Sequence, residues 1–401
     1  MTAVAGLRGT GDWGTDERPK NFREMILWRR PNGNAPLTAL LSKTKSQKVD
    51  DPEFAWWEEE LNAIRVQING GTYATTDVTV TIDSGGLDLV VGDVLLREAA
   101  LTSAYSHEIV TVSSITSDTV IVIARAAAGS TATPIADDTY FTKIGNVFEE
   151  GSTSPGASTR NPTKLYNYNQ IFKTSYRITE TAKLTKARTG DPLKNDKKRK
   201  MFDHSVAMEL AFLFGKRSET TGAAGKPQRY LGGVLYMMAT YASTRITAFT
   251  TTPTEKTLLD AIYPIWDYST DAGDERVCFA GNGALNSLNQ LAKDSSGTRI
   301  NFSGKIESAY GMKLQEWIFP QGRIFVKTHP LFNTHARFTN DILIFDPSVM
   351  IYRYMRDTKS QDNIQANDAD EQKGQWLTEC GLEMEHAKTA CWLSNFVVPG
   401  G

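Results

Sequence analysis

The chain has 401 residues, which is longer than a single hydrophobic core normally serves, so internal division is expected. Hydrophobic residues make up 40% and charged residues 22%, as in an ordinary folded protein. The net charge of −2, from 44 Lys plus Arg against 46 Asp plus Glu, excludes a globally basic nucleic-acid-binding protein. The three widely spaced cysteines support neither a disulfide framework nor a zinc site. We find no signal-peptide pattern and no apolar run of about 18 residues, so we expect a cytoplasmic site of synthesis and no membrane partner.

The N-terminal region, residues 1–61, has the composition of an extended arm. Glycine and proline interrupt it too often for long helices or strands. Within it, Pro36–Leu41 offers apolar anchors, and Trp56 and Trp57 are candidate core or interface anchors.

Residues 62–150 are typical of a small β-domain. Short β-branched runs at Val78–Ile82, Leu87–Leu96, Glu108–Ile115 and Thr119–Ala124 alternate with turn residues. We expect a sandwich or barrel, covering about residues 74–145, that is inserted in the chain as a structural module.

A strand-like segment and a long helix follow this β-domain. Lys164–Thr179 alternates as a strand does, and we expect it to form one leg of a projecting hairpin through Phe172, with the other leg near Tyr73 or Phe141. Asp191 and Pro192 then form a cap and first-turn pair, which predicts a helix from Pro192 to Phe214. Its first half is basic and its second half apolar.

The basic helix start and a later acidic segment are candidate contact surfaces. Nine bases against three acids give residues 177–200 a net charge of +6, and Lys197–Lys200 oppose the helix dipole. We interpret 357–374 as a polar loop, in which five acids against two bases give −3. The two segments either meet between copies of the chain or form independently solvated surfaces, and the sequence leaves both open.

The second half of the chain alternates helices and strands. Thr252 and Glu255 fit a capping box for a helix, and Asn282 precedes another helix that follows a buried strand at Val277–Ala280. The later candidate strands are Lys313–Trp317, Arg323–Lys327, Ile342–Phe345, Met350–Tyr354, Leu377–Glu385 and Cys391–Phe396. This order predicts an α/β or α+β unit.

The sequence contains none of the common motifs for nucleotide binding, metal binding or nucleophilic catalysis. His329, His335 and Asp341 do not match a standard metal-site spacing, and a loop or packing role is favoured. His386 is expected on the apolar face of a strand, as a satisfied core residue. We therefore predict no catalytic, cofactor-binding or metal-binding residues and no enzyme activity, with an unrecognised cytoplasmic hydrolase as the remote alternative.

The order of segments resembles that of the Hong Kong 97-type major capsid proteins of tailed bacteriophages, an α+β fold. The sequence is similar to the branch with a β-domain inserted in the extended loop. The residues that carry this similarity are Ile123–Ala132, Asn167–Phe172, Ser175–Thr181, Asp196–Gly215, Phe279–Asn282 and Glu379–Phe396.

This resemblance implies a division of the chain into capsid domains. The extended loop would span 62–181, the peripheral domain 182–231 and 375–401 with its spine helix at about 192–214, and the axial domain 232–374. The arm and the loop would lie across neighbouring subunits.

The resemblance also implies a function, which is self-assembly into the hexamers and pentamers of an icosahedral virion head around double-stranded DNA. Portal, scaffolding or decoration proteins and non-specifically contacted DNA would be the partners, and no cofactor is implied. An encapsulin-like shell is the alternative. The candidate inter-subunit contacts are Trp56, Trp57, Arg177, Lys183, Lys186, Arg188, Lys197, Lys198, Arg199, Lys200, Asp368, Asp370 and Glu371.

Overall fold

A computed structural model describes residues 36–41, 45–59, 62, 64–98, 107–156, 159, 161–185, 190–268, 270, 273–294, 302–309 and 312–398. The chain divides into two compact units. The smaller unit is Trp56–Leu165, and the larger combines Met1–Ala55 with Tyr166–Gly401.

Both helices and sheets are present, so the expected α+β class is confirmed. The α-helices are α1 (Pro36–Leu41), α2 (Glu180–Leu184), α3 (Pro192–Phe214), α4 (Val234–Tyr241), α5 (Glu255–Ile262) and α6 (Asn282–Asp294). The strands are β1 (Ser46–Lys48), β2 (Glu53–Glu58), β3 (Arg65–Asn69), β4 (Thr79–Ile82), β5 (Asp93–Arg97), β6 (Ile109–Ser117), β7 (Val120–Ala124), β8 (Tyr140–Asn146), β9 (Thr163–Tyr168), β10 (Gln170–Thr179), β11 (Ser218–Thr221), β12 (Pro227–Tyr230), β13 (Ile246–Ala248), β14 (Glu275–Ala280), β15 (Phe302–Ala309), β16 (Met312–Phe319), β17 (Gly322–Thr328), β18 (Ile342–Phe345), β19 (Met350–Gln361), β20 (Glu371–Met384) and β21 (Cys391–Ser394).

The smaller unit contains a closed antiparallel barrel with the strand order β3-β4-β7-β6-β5-β8. Alternate residues point inward, and core members such as Val66, Val80 and Ile121 are at most 2% exposed. Closure leaves these strands no free edge for unwanted pairing. Of the two architectures expected from the sequence, the structure has the barrel.

A buried ion pair ties the barrel to its loops. Arg125 follows β7, and its side chain donates to the carboxylate of Glu108 at 2.6 Å and to the carbonyl oxygens of Ala74 and Thr133 at 2.8 and 2.6 Å. Burial opposes ionisation of Glu108, but hydrogen bonds from Arg125 and the Thr133 amide lower its pKa overall. Arg125 lies in the stretch Ile123–Ala132.

The prediction of one strand over Leu87–Leu96 is wrong. A 3₁₀ turn occupies Gly86–Asp88, and β5 begins only at Asp93. The chain turns at Gly92, which has a φ of 94° and lies under the ring of Phe148, where a Cβ would stand 2.6 Å from a ring carbon.

The larger unit contains a four-stranded sheet in the order β1-β19-β20-β10. β1 is parallel to β19, and the other pairs are antiparallel. The predicted hairpin through Phe172 is wrong, because Phe172 pairs with Thr378, while Tyr73 and Phe141 pair within the barrel unit. Residue periodicity identifies strands but does not identify their partners.

The predicted polar loop at 357–374 is also wrong at both of its ends. β19 continues to Gln361 and β20 begins at Glu371, with pairing from Met350↔Met384 to Gln361↔Gln375. The outer part of this hairpin is polar on both faces, so the alternation of apolar residues that marks a strand is missing there.

The second sheet of the larger unit has seven strands in the order β13-β21-β18-β14-β17-β16-β15. Its core joins residues of α5 and α6 to the sheet, including Leu258, Leu288 and Ile344, each at most 2% exposed. The two sheets cut across the predicted domain boundaries, because β21 belongs to this sheet whereas β19 pairs with β20 in the other.

The capping box of α5 differs from the predicted one. Thr254, not Thr252, is the N-cap, and the box is completed by Thr257, not Glu255. The Thr254 amide donates to the Thr257 hydroxyl at 2.8 Å, and the Thr257 amide donates back at 3.3 Å. The pair Thr252 and Glu255 and the pair Thr254 and Thr257 both have the three-residue spacing of the motif. The sequence alone therefore allowed either pair to form the capping box.

Candidate assembly surfaces

Helix α3 carries four of the candidate contact residues, Lys197–Lys200. Asp191 caps it by accepting hydrogen bonds from the amides of Leu193 and Lys194 at 3.0 and 3.2 Å, with Pro192 at the first position. The predicted bounds, Pro192–Phe214, are confirmed. Its buried residues lie in the second half, from His204 onward, which leaves the basic first half at the surface.

A buried carboxylate on α3 anchors the N-terminal segment. Glu209 is fully buried and accepts hydrogen bonds from the amides of Leu37 and Thr38, each at 2.7 Å, and from the Thr38 hydroxyl at 2.5 Å. The same carboxylate contacts Nε2 of His329 at 2.8 Å. Because the first amides of a helix have no intrahelical acceptor, Glu209 serves as the cap of α1. Leu40, like Leu37, is buried, so the predicted apolar anchor is confirmed.

His204 connects α3 to the four-stranded sheet. Its Nδ1 lies 3.0 Å from the hydroxyl of Thr174 on β10, and its Nε2 lies 2.8 Å from the hydroxyl of Thr378 on β20. Burial lowers the pKa of His204, which favours the neutral ring.

The basic start of α3 is largely compensated within the chain. Lys194, Arg199 and Lys200 have carboxylate partners on the same helix or at its cap, namely Asp191, Asp196 and Asp203 at 3.8, 3.7 and 3.1 Å. These are exposed pairs of the kind that contribute about 0.2–1 kcal/mol each. Lys198 is exposed and has no ion pair within the described part of the chain.

Lys197 reaches the tip of the β19–β20 hairpin. Its Nζ lies 2.9 Å from the carboxylate of Asp362, which also accepts a hydrogen bond from the Tyr176 hydroxyl. These bonds, from Tyr176 first and Lys197 second, hold the pKa of Asp362 below its usual range, and the pairing raises the pKa of Lys197. The indole of Trp376 donates to the backbone oxygen of Lys197 at 3.2 Å.

This geometry corrects the two alternatives for the charged segments. The acidic and basic segments meet inside one chain, through Lys197 with Asp362 and, at 3.9 Å, Arg177 with Glu371. The reason is that the strands continue into both ends of the predicted loop and place their tip beside α3. Asp368 and Asp370 remain exposed.

The remaining candidate contact residues differ in exposure. Trp57 is 65% exposed, whereas Trp56 on the opposite face of β2 is 7% exposed and donates its indole N–H to Glu58 at 2.9 Å. Trp56 is therefore buried by its own chain. Lys183 pairs with Glu180 at 3.3 Å. The candidates Lys186 and Arg188 lie outside the described residues.

The histidines considered for metal binding or catalysis have separate environments. His329 is buried against Glu209, while Asp341 accepts hydrogen bonds from Trp392 and Asn395, and His335 is exposed. The placement of His386 on an apolar strand face is wrong, because β20 ends at Met384 and His386 is exposed with a φ of 49°. Among the described residues no group of three His, Cys, Asp or Glu side chains is arranged to hold a metal ion.

The cysteines are buried free thiols. Burial raises the pKa of Cys380 and of Cys391 to about 12 and raises that of Cys278 as well. A thiol that stays protonated at neutral pH is a poor nucleophile. In the ranges that the structure describes, no helix is long and apolar enough to cross a bilayer.

Sequence reasoning missed Glu209 and Arg125 as organising residues and Asn169 as a buried polar side chain. Glu209 interrupts the apolar half of α3, and an acid in such a position signals a buried partner. Asn169 occupies the break between β9 and β10, and its side chain is buried. Nothing in the sequence around Arg125 distinguished it from an ordinary surface base.

The matching family model and the curated relative are both phage major capsid proteins. The family model of the SU10 major capsid protein matches residues 5–396. The chain is 26% identical over 365 residues to the major capsid protein of Pseudomonas phage PaMx41, covering 88% of this chain and 83% of that protein.

Solved structures similar to the chain include the capsid of Myoviridae Phage XM1, at 10% identity and a TM-score of 0.46, covering 94% of this chain and 96% of that one. A chain of Microbacterium phage Oxtober96 has the same identity and TM-score, with 96% of both chains covered. The family match confirms the resemblance to phage major capsid proteins. Since it spans nearly the whole sequence, the chain belongs to the SU10 major capsid protein family.

Proposed function

We propose that copies of this major capsid protein associate as hexamers and pentamers into the icosahedral head of a tailed phage, around double-stranded DNA. The observation that carries the proposal is the family match over residues 5–396, which includes both compact units. In this proposal the chain follows the Hong Kong 97-type order. Residues 1–61 are the arm, 62–181 the extended loop with the barrel inserted, and α3 the spine helix of the peripheral domain.

The anchoring of α1 supports an arm that acts between subunits. Glu209 fixes Leu37 and Thr38 to α3 by short hydrogen bonds, so the preceding residues start from a fixed point of the subunit. A fixed starting point reduces the conformational entropy that an arm loses when it docks on a neighbour.

The exposed aromatic and charged residues support contacts between copies. Trp57 is 65% exposed, and Lys198, Asp368 and Asp370 are exposed around charges that are otherwise paired within the chain. Exposed tryptophan is enriched at protein interfaces, and unpaired charges set the register between partners.

The proposed further partners are portal, scaffolding or decoration proteins and the packaged DNA. With most bases of α3 already paired to carboxylates, we assign the DNA contact a non-specific character, carried by the few uncompensated bases such as Lys198. Such binding weakens steeply with salt.

The proposal assigns no catalytic role to the chain. Supporting this, the thiols are held protonated by burial, and His329 is occupied with Glu209. The encapsulin-like alternative is less favoured because both the family model and the curated relative are phage major capsid proteins.

Expression of the full chain, alone and with a co-expressed scaffolding protein, followed by sedimentation and negative-stain electron microscopy, tests the proposal. We expect closed shells of uniform diameter. A chain that stays a compact monomer at high concentration under assembly conditions would contradict the proposal. Shells that enclose a protein cargo instead of DNA in infected cells would favour the encapsulin alternative.

A further inference from the structure

The larger unit has a pocket of about 350 Å³ between the start of β10, β20 and the β11–β12 hairpin. Its lining includes Asn169, Ile171, Lys226, Arg229, Tyr230 and Glu379. Ile171 is 50% exposed and Tyr230 is 37% exposed. The pocket therefore combines an exposed apolar wall with the cation of Lys226, while Arg229 is paired with Glu219 at 2.6 Å and Glu379 with Arg356 at 2.7 Å.

Asn169 is an unsatisfied polar group at this pocket. Its side chain is 1% exposed, yet within the described part of the chain neither the amide oxygen nor the amide nitrogen has a hydrogen-bond partner. Gly381 leaves room for it, because a Cβ there would stand 2.8 Å from the amide oxygen. A buried amide without partners is destabilising, so a ligand group that satisfies it gains affinity.

Trp57, which does not line the pocket, presents the matching chemistry. It is the most exposed aromatic side chain among the described residues, at 65%, and its indole N–H has no hydrogen bond within them. Glu58 and Glu59 follow it directly. An indole offers one donor and a large apolar area, flanked here by negative charge.

We propose that Trp57 of one copy inserts into this pocket of a second copy. The indole packs against Ile171 and Tyr230, and its N–H donates to the amide oxygen of Asn169. Glu59 then faces Lys226 on the rim, which supplies the charge complementarity of the contact. The inference rests on the proposed function, because only assembly brings the two surfaces together.

The symmetry of this contact fits the proposed capsomers. Trp57 is not among the residues that line the pocket, which permits a heterologous contact in which each copy offers a knob to one neighbour and a hole to the next. Such heterologous contacts close into rings when the rotation between copies allows it. Hexamers and pentamers are rings of this kind.

Substitutions at both ends of the contact test it. We expect Trp57→Ala and Asn169→Ala each to lower the association of subunits about tenfold or more, with the melting temperature of the unassembled chain little changed. Trp57→Phe retains the apolar ring but loses the donor. It should cost about threefold to tenfold with Asn169 present and nothing with Asn169→Ala. Phe148→Ala, at an aromatic residue that is 43% exposed and precedes two glutamates, is the matched control.

A cross-link measures the geometry without removing the tryptophan. Ala55 shares the exposed face of β2 with Trp57, and Ala223 lines the pocket. Chains carrying Ala55→Cys mixed with chains carrying Ala223→Cys should form a disulfide-linked dimer upon assembly, while Ala55→Cys mixed with Thr252→Cys should not. The native cysteines are buried and do not compete.

The outcomes separate this contact from the function on which it rests. Wild-type shells together with normal assembly of Trp57→Ala would overturn the contact and leave the capsid function standing. Impaired assembly of Phe148→Ala alone would overturn it in favour of Phe148 as the inserted residue. If the wild-type chain formed no shell, the proposed function would fail, and the contact with it.

Discussion

The carboxylate of Glu209 lies 2.8 Å from Nε2 of His329, and the same carboxylate caps α1. The three segments are far apart in sequence, since Glu209 is 172 residues from Leu37 and 120 from His329. The pair also lies among aromatic rings, with the His329 ring 4.7 Å from that of Phe332. A single buried side chain therefore joins the N-terminal segment, α3 and the turn after β17.

Replacement of Glu209 tests this junction. Glu209→Ala leaves the amides of Leu37 and Thr38 without an acceptor, so we expect a loss of about 3–5 kcal/mol in the free energy of unfolding. Limited proteolysis should cut near residue 41 faster in the variant, because α1 loses its cap. Asp203→Ala, on the exposed face of the same helix, is the control and should change stability by about 0.5 kcal/mol or less. Equal proteolysis of the two variants would contradict the anchoring role.

His204 predicts a pH dependence. Because burial lowers its pKa in the folded chain, the unfolded chain binds a proton more readily as the pH falls through about 6.5. The free energy of unfolding should therefore decrease on acidification, by at most about 1.4 kcal/mol per pH unit from this group. Chemical unfolding from pH 8 to 5 measures it. His204→Gln should flatten the slope, and the exposed His335→Gln should not. An unchanged slope in His204→Gln would assign the dependence to other groups.

Gly374 is required for the close approach of β20 to Tyr176. A Cβ on Gly374 would stand 2.5 Å from Cζ of the tyrosine ring. Gly374→Ala should displace Tyr176 from Asp362 and cost about 1–3 kcal/mol. Gly156→Ala, where a Cβ would meet nothing within 4 Å, is the matched control for thermal unfolding. If both substitutions lowered the melting temperature equally, the contact with Tyr176 would not be the cause.

The sequence predicted those elements whose signals are local. Asp191 and Pro192 mark the start of α3 because capping depends on neighbours in the chain, and the bounds agree with the structure. The strand at Ile342–Phe345 is predicted correctly for a similar reason, because a short continuous apolar run is a local signal of a strand that is buried on both faces.

The features that sequence reasoning missed depend on distant partners. The carboxylate of Glu209 is understood only with Leu37, Thr38 and His329 beside it. The salt bridge between Lys197 and Asp362 requires the full length of the β19–β20 hairpin, whose polar outer half lacks a strand signature. Net charge counted along the sequence therefore indicated two charged candidate contact surfaces. In the fold, much of this charge is already paired within the chain.

Arg125 should be the most sensitive charged residue of the barrel. Arg125→Ala leaves the carboxylate of Glu108 buried and unpaired, so we expect a loss of about 3–5 kcal/mol. Faster amide hydrogen exchange in β6 and β7 would reveal this loss of stability. Arg65→Ala removes an exposed pair with Glu98 and should cost about 1 kcal/mol or less. Similar exchange rates in the two variants would show that the buried Arg125–Glu108 pair stabilises the barrel no more than the exposed Arg65–Glu98 pair does.

Two N-terminal deletions separate the arm from its anchor. From the sequence, removal of residues 1–48 is expected to impair assembly more than folding. The structure revises this expectation, because Leu37, Leu40 and Leu41 are at most 1% exposed. Burial of each leucine contributes about 1.5–3 kcal/mol, so the longer deletion removes part of the core.

We therefore expect deletion of residues 1–35 to leave the melting temperature of the unassembled subunit within a few degrees of the wild type, while deletion of 1–48 lowers it clearly. Both deletions should reduce shell formation, the shorter one because it removes the arm alone. Thermal unfolding of the unassembled chains and electron microscopy of assembly reactions measure the two effects separately. If the shorter deletion gave normal shells, assembly would not depend on residues 1–35, and α1 would be a structural element of the subunit only.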